Sequence, residues 1–226
     1  MDDRDAERAT VRVFVVGCPR SGTTLMQSFL GAHPLLVTRV ETHFFQTQPG
    51  PEAVAAWLAE MDASADGVAG WVEKTPGHIY ELDRIVAAVP GARFVHVLRD
   101  PIEVVASLHW ASSIRPAMWG GPYALDECID RWRRAVRGTE RWRGDPSHLV
   151  VEYQNLASDP EPVLRGTCTV LGLAFDHAML DDRAALAPAL GGALPWHDRL
   201  AGDVAYRGER HLSPEQRAYV EAATRS

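Results

Sequence analysis

The sequence predicts an α/β fold: a three-layer αβα sandwich with a central parallel sheet. Two observations carry this. The runs VRVFVVG (11–17) and ARFVHVL (92–98) are apolar and rich in β-branched residues, as in strands covered on both faces. Segments of helical length lie between such runs, and strand–helix alternation builds parallel sheets.

The elements follow in order. A first strand spans 11–17, and a helix over 21–32 is ended by His33-Pro34. Residues 35–40 suggest a short strand, 51–61 a helix, the small and polar stretch 62–70 a loop, and 71–73 another short strand. A helix over 80–89 stops before Pro90-Gly91, and the strand 92–98 leads into a helix over 101–112 with Pro101 at the tolerated first position. A loop over 113–122 precedes a long helix over 125–143, a strand over 148–151 and a helix over 161–171 closed by Gly172. Beyond Phe175 the pattern weakens: 188–208 reads as irregular and 214–223 as helical. The expectation is one domain over 1–226, with its core in 11–173 and a tail, 174–226, that contributes to the cofactor or acceptor site.

Composition narrows the function. The 226 residues suit one domain, and 46% hydrophobic with 23% charged residues is ordinary globular usage. No apolar run approaches the ~18–20 residues of a membrane span, and the opening MDDRDAERAT is acidic and polar, unlike a secretory or transit segment. A cytoplasmic setting is expected. Cys18, Cys128 and Cys168 are too scattered for a disulfide framework or a zinc site. A net charge of −7 speaks against a nucleic-acid polymer as partner.

In parallel sheets ligands bind beyond the carboxyl ends of the strands. There the first strand runs into Gly17-Cys18-Pro19-Arg20-Ser21-Gly22-Thr23-Thr24, a G-x-x-x-x-G frame between strand and helix, the P-loop nucleotide-binding type. Backbone N–H groups and a helix N-terminus there converge on phosphate oxygens. Thr23 stands where a nucleoside triphosphatase has the lysine that reaches the β- and γ-phosphates. Arg20 supplies a cation in a different place. The loop therefore suits a phosphate with a neighbouring anion and no metal, and ATP or GTP hydrolysis is disfavoured. A small-molecule or nucleoside kinase and a non-catalytic nucleotide-binding module are the alternatives.

Pro19-Arg20-Ser21-Gly22-Thr23-Thr24-Leu25 resembles the 5′-phosphosulfate loop of sulfotransferases that use 3′-phosphoadenosine 5′-phosphosulfate (PAPS). The family's second signature, an Arg at a strand end and a Ser eight positions on, is matched by Arg99 and Ser107. A third stretch, Val150-Val151-Glu152-Tyr153-Gln154-Asn155-Leu156 with Asp159-Pro160, resembles a mostly structural segment after the last core strand. The resemblance covers about 11–173.

It implies a PAPS-dependent sulfotransferase, with adenosine 3′,5′-bisphosphate (PAP) as product and no metal required. Arg20, Ser21, Gly22, Thr23 and Thr24 would hold the 5′ end. Arg99 and Ser107 would bracket the 3′-phosphate, a task suited to a guanidinium and a hydroxyl. Arg207 and Gly208, late in the chain, are further candidates for that phosphate. Glu41, in Glu41-Thr42, matches the general base of the tyrosylprotein branch, with His43 as the alternative. Lys74 resembles the lysine at the bridging oxygen, and Arg20 is the second catalytic cation. The acceptor is expected to be a hydroxyl or amine of a small molecule, glycan or natural product.

Other features read as structural first. The helix carrying Arg131, Arg133, Arg134, Arg137, Arg141 and Arg143 is a solvated face with Trp132 and Trp142 packed on the core; a docking face for an acidic partner is the sharper alternative. Trp110, Trp119 and Trp196 line an acceptor pocket or the core. Cys18, with no base partner evident, packs rather than attacks.

Overall fold

The structure, a computed structural model, describes residues 10–39, 41–180 and 212–225. The strands are β1 (Val11–Gly17), β2 (Leu36–Arg39), β3 (Gly70–Lys74), β4 (Ala92–Leu98) and β5 (His148–Glu152). The helices are α1 (Thr23–Gly31), α2 (Pro51–Ser64), α3 (Leu82–Ala88), α4 (Pro101–Ile114), α5 (Pro116–Trp119), α6 (Leu125–Arg141), α7 (Tyr153–Ser158), α8 (Pro160–Leu171) and α9 (Pro214–Thr224). Tight 3₁₀ turns cover Phe44–Thr47, Pro76–Tyr80 and His177–Leu180.

Among the described residues the strands form one parallel sheet in the order β2-β3-β1-β4-β5. The chain leaves β1 toward β3 and β2, then returns to β4 and β5 on the other side. The direction reverses between β1 and β4, and a crevice opens above their carboxyl ends.

Alternation along β1 builds two cores. Val13 and Val15 pack with Met26, Phe29 and Leu30 of α1 and Leu164 of α8. Phe14 and Val16 face the opposite way, with Trp71, Ile85, Phe94 and Ala135. Helices therefore cover both faces, as the largely apolar strands require.

The predicted order of strands and long helices matches the structure, and several boundaries move. Helix α2 runs on to Ser64 into the stretch expected as loop; the Ser64 hydroxyl donates to Met61 O at 2.6 Å and closes the last turn. The expected loop 113–122 contains α5. The expected helix 80–89 is a 3₁₀ turn followed by α3. Helix α7 was not anticipated; it starts directly from β5, too short to show a period. Gly172 ends α8 at φ 72°, the left-handed conformation expected of it.

Candidate active site

Three strand ends meet above the crevice. The first is the turn from β1 into α1. Gly17 admits no side chain, because a Cβ there would lie 2.7 Å from both Ser21 Oγ and Val97 O. Gly22, at φ 101°, sits where a Cβ would overlap the Tyr153 ring. Arg20 has φ 77°, a left-handed conformation uncommon for a non-glycine residue and often found at functional sites. The Ser21 hydroxyl is buried without a partner, an exception that buried polar atoms seldom show. Thr23, at the position of a P-loop lysine, is buried.

An orphaned hydroxyl inside a glycine-shaped turn at the start of a helix fits an oxyanion. The residues present are thus compatible with the phosphate end of a nucleotide. Cys18 belongs to the wall of this loop: burial pushes its thiol up to about 12, with a hydrogen bond to Tyr80 only partly opposing. It stays a neutral packing group, as expected.

The second strand end is that of β4. Asp100 caps α4, accepting from Ile102 N at 2.9 Å and Glu103 N at 3.1 Å. Arg99 lies just before the cap. Its Nε donates to Glu103 at 2.5 Å, and its guanidinium stacks 4.0 Å above the Tyr153 ring. The indole of Trp132 donates to Arg99 O at 3.2 Å. Ser107 is buried in the second turn of α4 and accepts from Arg20 Nε at 3.0 Å. The structure thus joins Ser107 to the cation of the first loop, a pairing absent from the sequence reading. Tyr153, which that reading left as structural, touches both motifs.

The third is that of β3, with the segment leaving β2. Lys74, 3% exposed, donates through Nζ to Glu41 Oε1. Glu41, 32% exposed, also faces His43 Nε2 at 3.4 Å. His43 Nδ1 lies 2.9 Å from Gln46 Oε1, and His43 too adopts a positive φ of 52°. Glu41, Lys74 and His43 are therefore one cluster.

Beneath it lies Glu73, fully buried, accepting from Thr42, Thr75 and His78. Burial alone would push its carboxyl up, but the hydrogen bonds from His78, Thr75 and Thr42 outweigh it and hold it below the ordinary carboxylate value. Sequence reasoning passed over Glu73; a carboxylate directly after the apolar Trp71-Val72 and before Lys74 was the available signal.

Other expected residues fall elsewhere. Arg207, Gly208 and Trp196 lie outside the described residues. Trp142 stacks on His148 at 4.6 Å, and Trp119 meets Tyr123 edge-on at 6.1 Å. The arginines of α6 engage neighbours: Arg131 with Glu127 at 3.0 Å, Arg141 with Asp83 at 2.6 Å, and Arg134 over the Tyr80 ring at 4.7 Å. Arg131 thus pairs within α6, whereas Arg141 and Arg134 reach α3 and the turn before it.

A parallel α/β sheet with a glycine-bounded anion loop, and with Arg20, Lys74 and Arg99 at the ends of three strands, defines a P-loop-type α/β protein. The chain belongs to the sulfotransferase family, whose profile matches residues 12–59 and 46–177. Protein-tyrosine sulfotransferase 1 of Danio rerio is 25% identical over 221 residues, 85% of this chain and 61% of that protein. The chain thus spans under two thirds of that relative's length. The sulfotransferase domain of the Synechococcus PCC 7002 olefin synthase superposes with a TM-score of 0.69 at 22% identity, covering 98% of this chain and 96% of that one. Mouse sulfotransferase SULT7A1, solved in complex with PAP, gives a TM-score of 0.58 at 13% identity over 94% of this chain and 83% of its own. Among the described residues, no helix is long and apolar enough to cross a membrane.

Proposed function

We propose that the chain transfers a sulfuryl group from PAPS to a hydroxyl or amine of a small-molecule, glycan or natural-product acceptor, with Glu41 as general base. The observation that carries this is the contact of Glu41 with Lys74, which ends the strand paired with β1, whose own end runs into a loop with Thr23 in place of a P-loop lysine. When bound, PAPS supplies the sulfuryl group on a good leaving phosphate.

The loop from Gly17 to Thr24 holds the 5′ end through backbone N–H groups and the hydroxyls of Ser21, Thr23 and Thr24. Arg99 and Ser107 would hold the 3′-phosphate, with Arg207 and Gly208 as further candidates from the tail, while Arg20, bonded to Ser107 at 3.0 Å, would serve the 5′ end as the second cation. Lys74 places positive charge where the leaving oxygen gains negative charge. Glu41 would accept the acceptor's proton through a carboxylate whose Oε1 takes the Lys74 bond and whose Oε2 faces His43 at 3.4 Å, with His43 as the alternative base. Family membership supports sulfuryl transfer as the reaction class.

The test has two arms. Calorimetry should show adenosine 3′,5′-bisphosphate binding without Mg²⁺, with ATP·Mg²⁺ binding far more weakly; the reverse order overturns the assignment. Glu41→Gln should lower turnover of PAPS by about 10²–10⁴-fold with cofactor affinity kept. Unchanged turnover removes Glu41 from the chemistry.

A further inference from the structure

We propose that Glu73 is a positioning residue: it anchors the segment that carries Glu41 and so sets Glu41 against Lys74. The inference rests on the reading of Glu41 as base. Strand β3 sends successive side chains to opposite faces. Lys74 joins the cluster with Glu41 and His43, whereas Glu73 lies beside Phe14 in the buried apolar layer that also contains Phe45 and Trp71. A carboxylate there costs free energy that an apolar side chain of similar volume would not, so packing alone does not account for it.

Its hydrogen bonds have a clear direction. Oε1 accepts from Thr42 N at 3.2 Å, from Thr42 Oγ1 at 3.0 Å and from Thr75 Oγ1 at 2.5 Å. Oε2 accepts from His78 Nδ1 at 2.9 Å. Thr42 is the neighbour of Glu41 in sequence, and Thr75 is the neighbour of Lys74. One buried carboxylate thereby ties together the flanks of both members of the Glu41–Lys74 pair.

The anchoring continues through its partners. His43 N donates to Thr75 Oγ1 at 3.2 Å, and Phe45 N donates to His78 Nε2 at 3.4 Å. That second bond leaves His78 Nδ1–H as the donor to Glu73. Residues 42, 43 and 45 thus hang on the stretch 73–78 by backbone N–H groups. The strained φ of 52° at His43 shows that this segment is held in a conformation it would not choose unaided.

Four variants test this: Glu73→Gln, Thr42→Val, Glu41→Gln and the double variant Glu41→Gln/Glu73→Gln. They are compared by amide hydrogen exchange without ligand, by affinity for adenosine 3′,5′-bisphosphate, and by PAPS turnover with water as acceptor. In Glu73→Gln, exchange at Thr42, His43 and Phe45 should rise by roughly tenfold or more while β1 and β4 keep their protection. Its turnover should fall by roughly 10–10²-fold, with bisphosphate affinity within about threefold.

In the Glu41→Gln background the same substitution should cost no further turnover, which a general loss of structure would not reproduce. Thr42→Val removes one anchor and leaves the buried Glu73–His78 pair, so it reports the same trend if Glu73→Gln does not fold. Unchanged exchange at residues 42–45, or losses that multiply in the double variant, overturns the proposal. Wild-type turnover in Glu41→Gln instead sinks the general-base reading, while the exchange data still decide whether Glu73 anchors the segment.

Discussion

Arg20 and Ser107, 87 residues apart, are joined by a 3.0 Å hydrogen bond from Nε to Oγ. The bond crosses the crevice between β1 and β4, so the loop after one strand is latched to the helix after the other. Under the proposed function, both residues would border the bound nucleotide. Ser107→Ala should weaken adenosine 3′,5′-bisphosphate binding by roughly 5–10-fold. Arg99→Ala, which removes a largely buried guanidinium, should weaken it by about 2 kcal/mol, roughly 30-fold. Calorimetry without Mg²⁺ measures both; an unaltered dissociation constant in Arg99→Ala removes that residue from the site.

Gly22→Ala probes the cradle itself. An L-residue at φ 101° is strained, by about 1–2 kcal/mol, and its Cβ would overlap the Tyr153 ring. Bisphosphate affinity should drop by roughly 5–30-fold, since 1.4 kcal/mol corresponds to tenfold. Adding Tyr153→Ala should recover part of the loss by opening space, even though Tyr153 itself contacts Arg99. Wild-type binding by Gly22→Ala would contradict the close packing of loop and ring.

Cys18 lies in the turn from β1 into α1 yet should be chemically silent. The residue is 3% exposed, and burial pushes its thiol up to about 12. Cys128 is raised to about 12 and Cys168 is raised as well, burial leading in both. Iodoacetamide at pH 8 should leave the native protein unlabelled and bisphosphate binding intact, while the unfolded chain labels at all three cysteines. Rapid alkylation of Cys18 in the native protein, read by mass spectrometry, is the contrary result.

The core pair His96–His148 predicts how stability responds to acid. The rings are joined at 2.8 Å, and His148 stacks between Phe94 at 4.3 Å and Trp142 at 4.6 Å. Burial, with the charge of His148 and Arg143 adding to it, lowers His96 from 6.5 to about 3. Burial, partly opposed by Asp145, lowers His148 from 6.5 to about 4.

Both pKa values are depressed in the folded state, so below about pH 6.5 the unfolded chain binds more protons than the native one. The pair's contribution is complete above that pH and is lost as pH falls toward the folded values. The melting temperature should therefore decline between pH 6.5 and 5, before most carboxylates titrate. His148→Phe, which keeps the stacking and removes a titrating group, should flatten that decline. An identical slope in the variant would separate acid sensitivity from this pair.

Much of this architecture is legible in the residues alone, for a local reason. The cores of β1 and β4 are largely apolar runs, and the G-x-x-x-x-G loop and the Arg99–Ser107 spacing each lie within ten consecutive positions. What stayed hidden depends on residues distant in sequence. The Arg20–Ser107 bond, the place of Tyr153 between two motifs and the Thr42–Glu73–Thr75 contacts exist only once β1, β3, β4 and β5 lie side by side. Helix α7 escaped because six residues show no period. The loop expected over 62–70 began too early because Asp62 and Ser64 read as polar punctuation; yet Asp62 accepts from Arg12 at 2.7 Å and from the Trp71 indole at 2.9 Å, tying the end of α2 to the sheet.

The Tyr153 ring, lying against Gly22 on one side and under the Arg99 guanidinium on another, acts as a spacer of fixed thickness. The gap between the glycine loop and the β4 arginine is thereby set by a rigid aromatic plate and not by a flexible side chain. Ligands whose two anionic ends are a nucleoside apart would be measured against that gauge, and those with a shorter or longer reach would engage one end only.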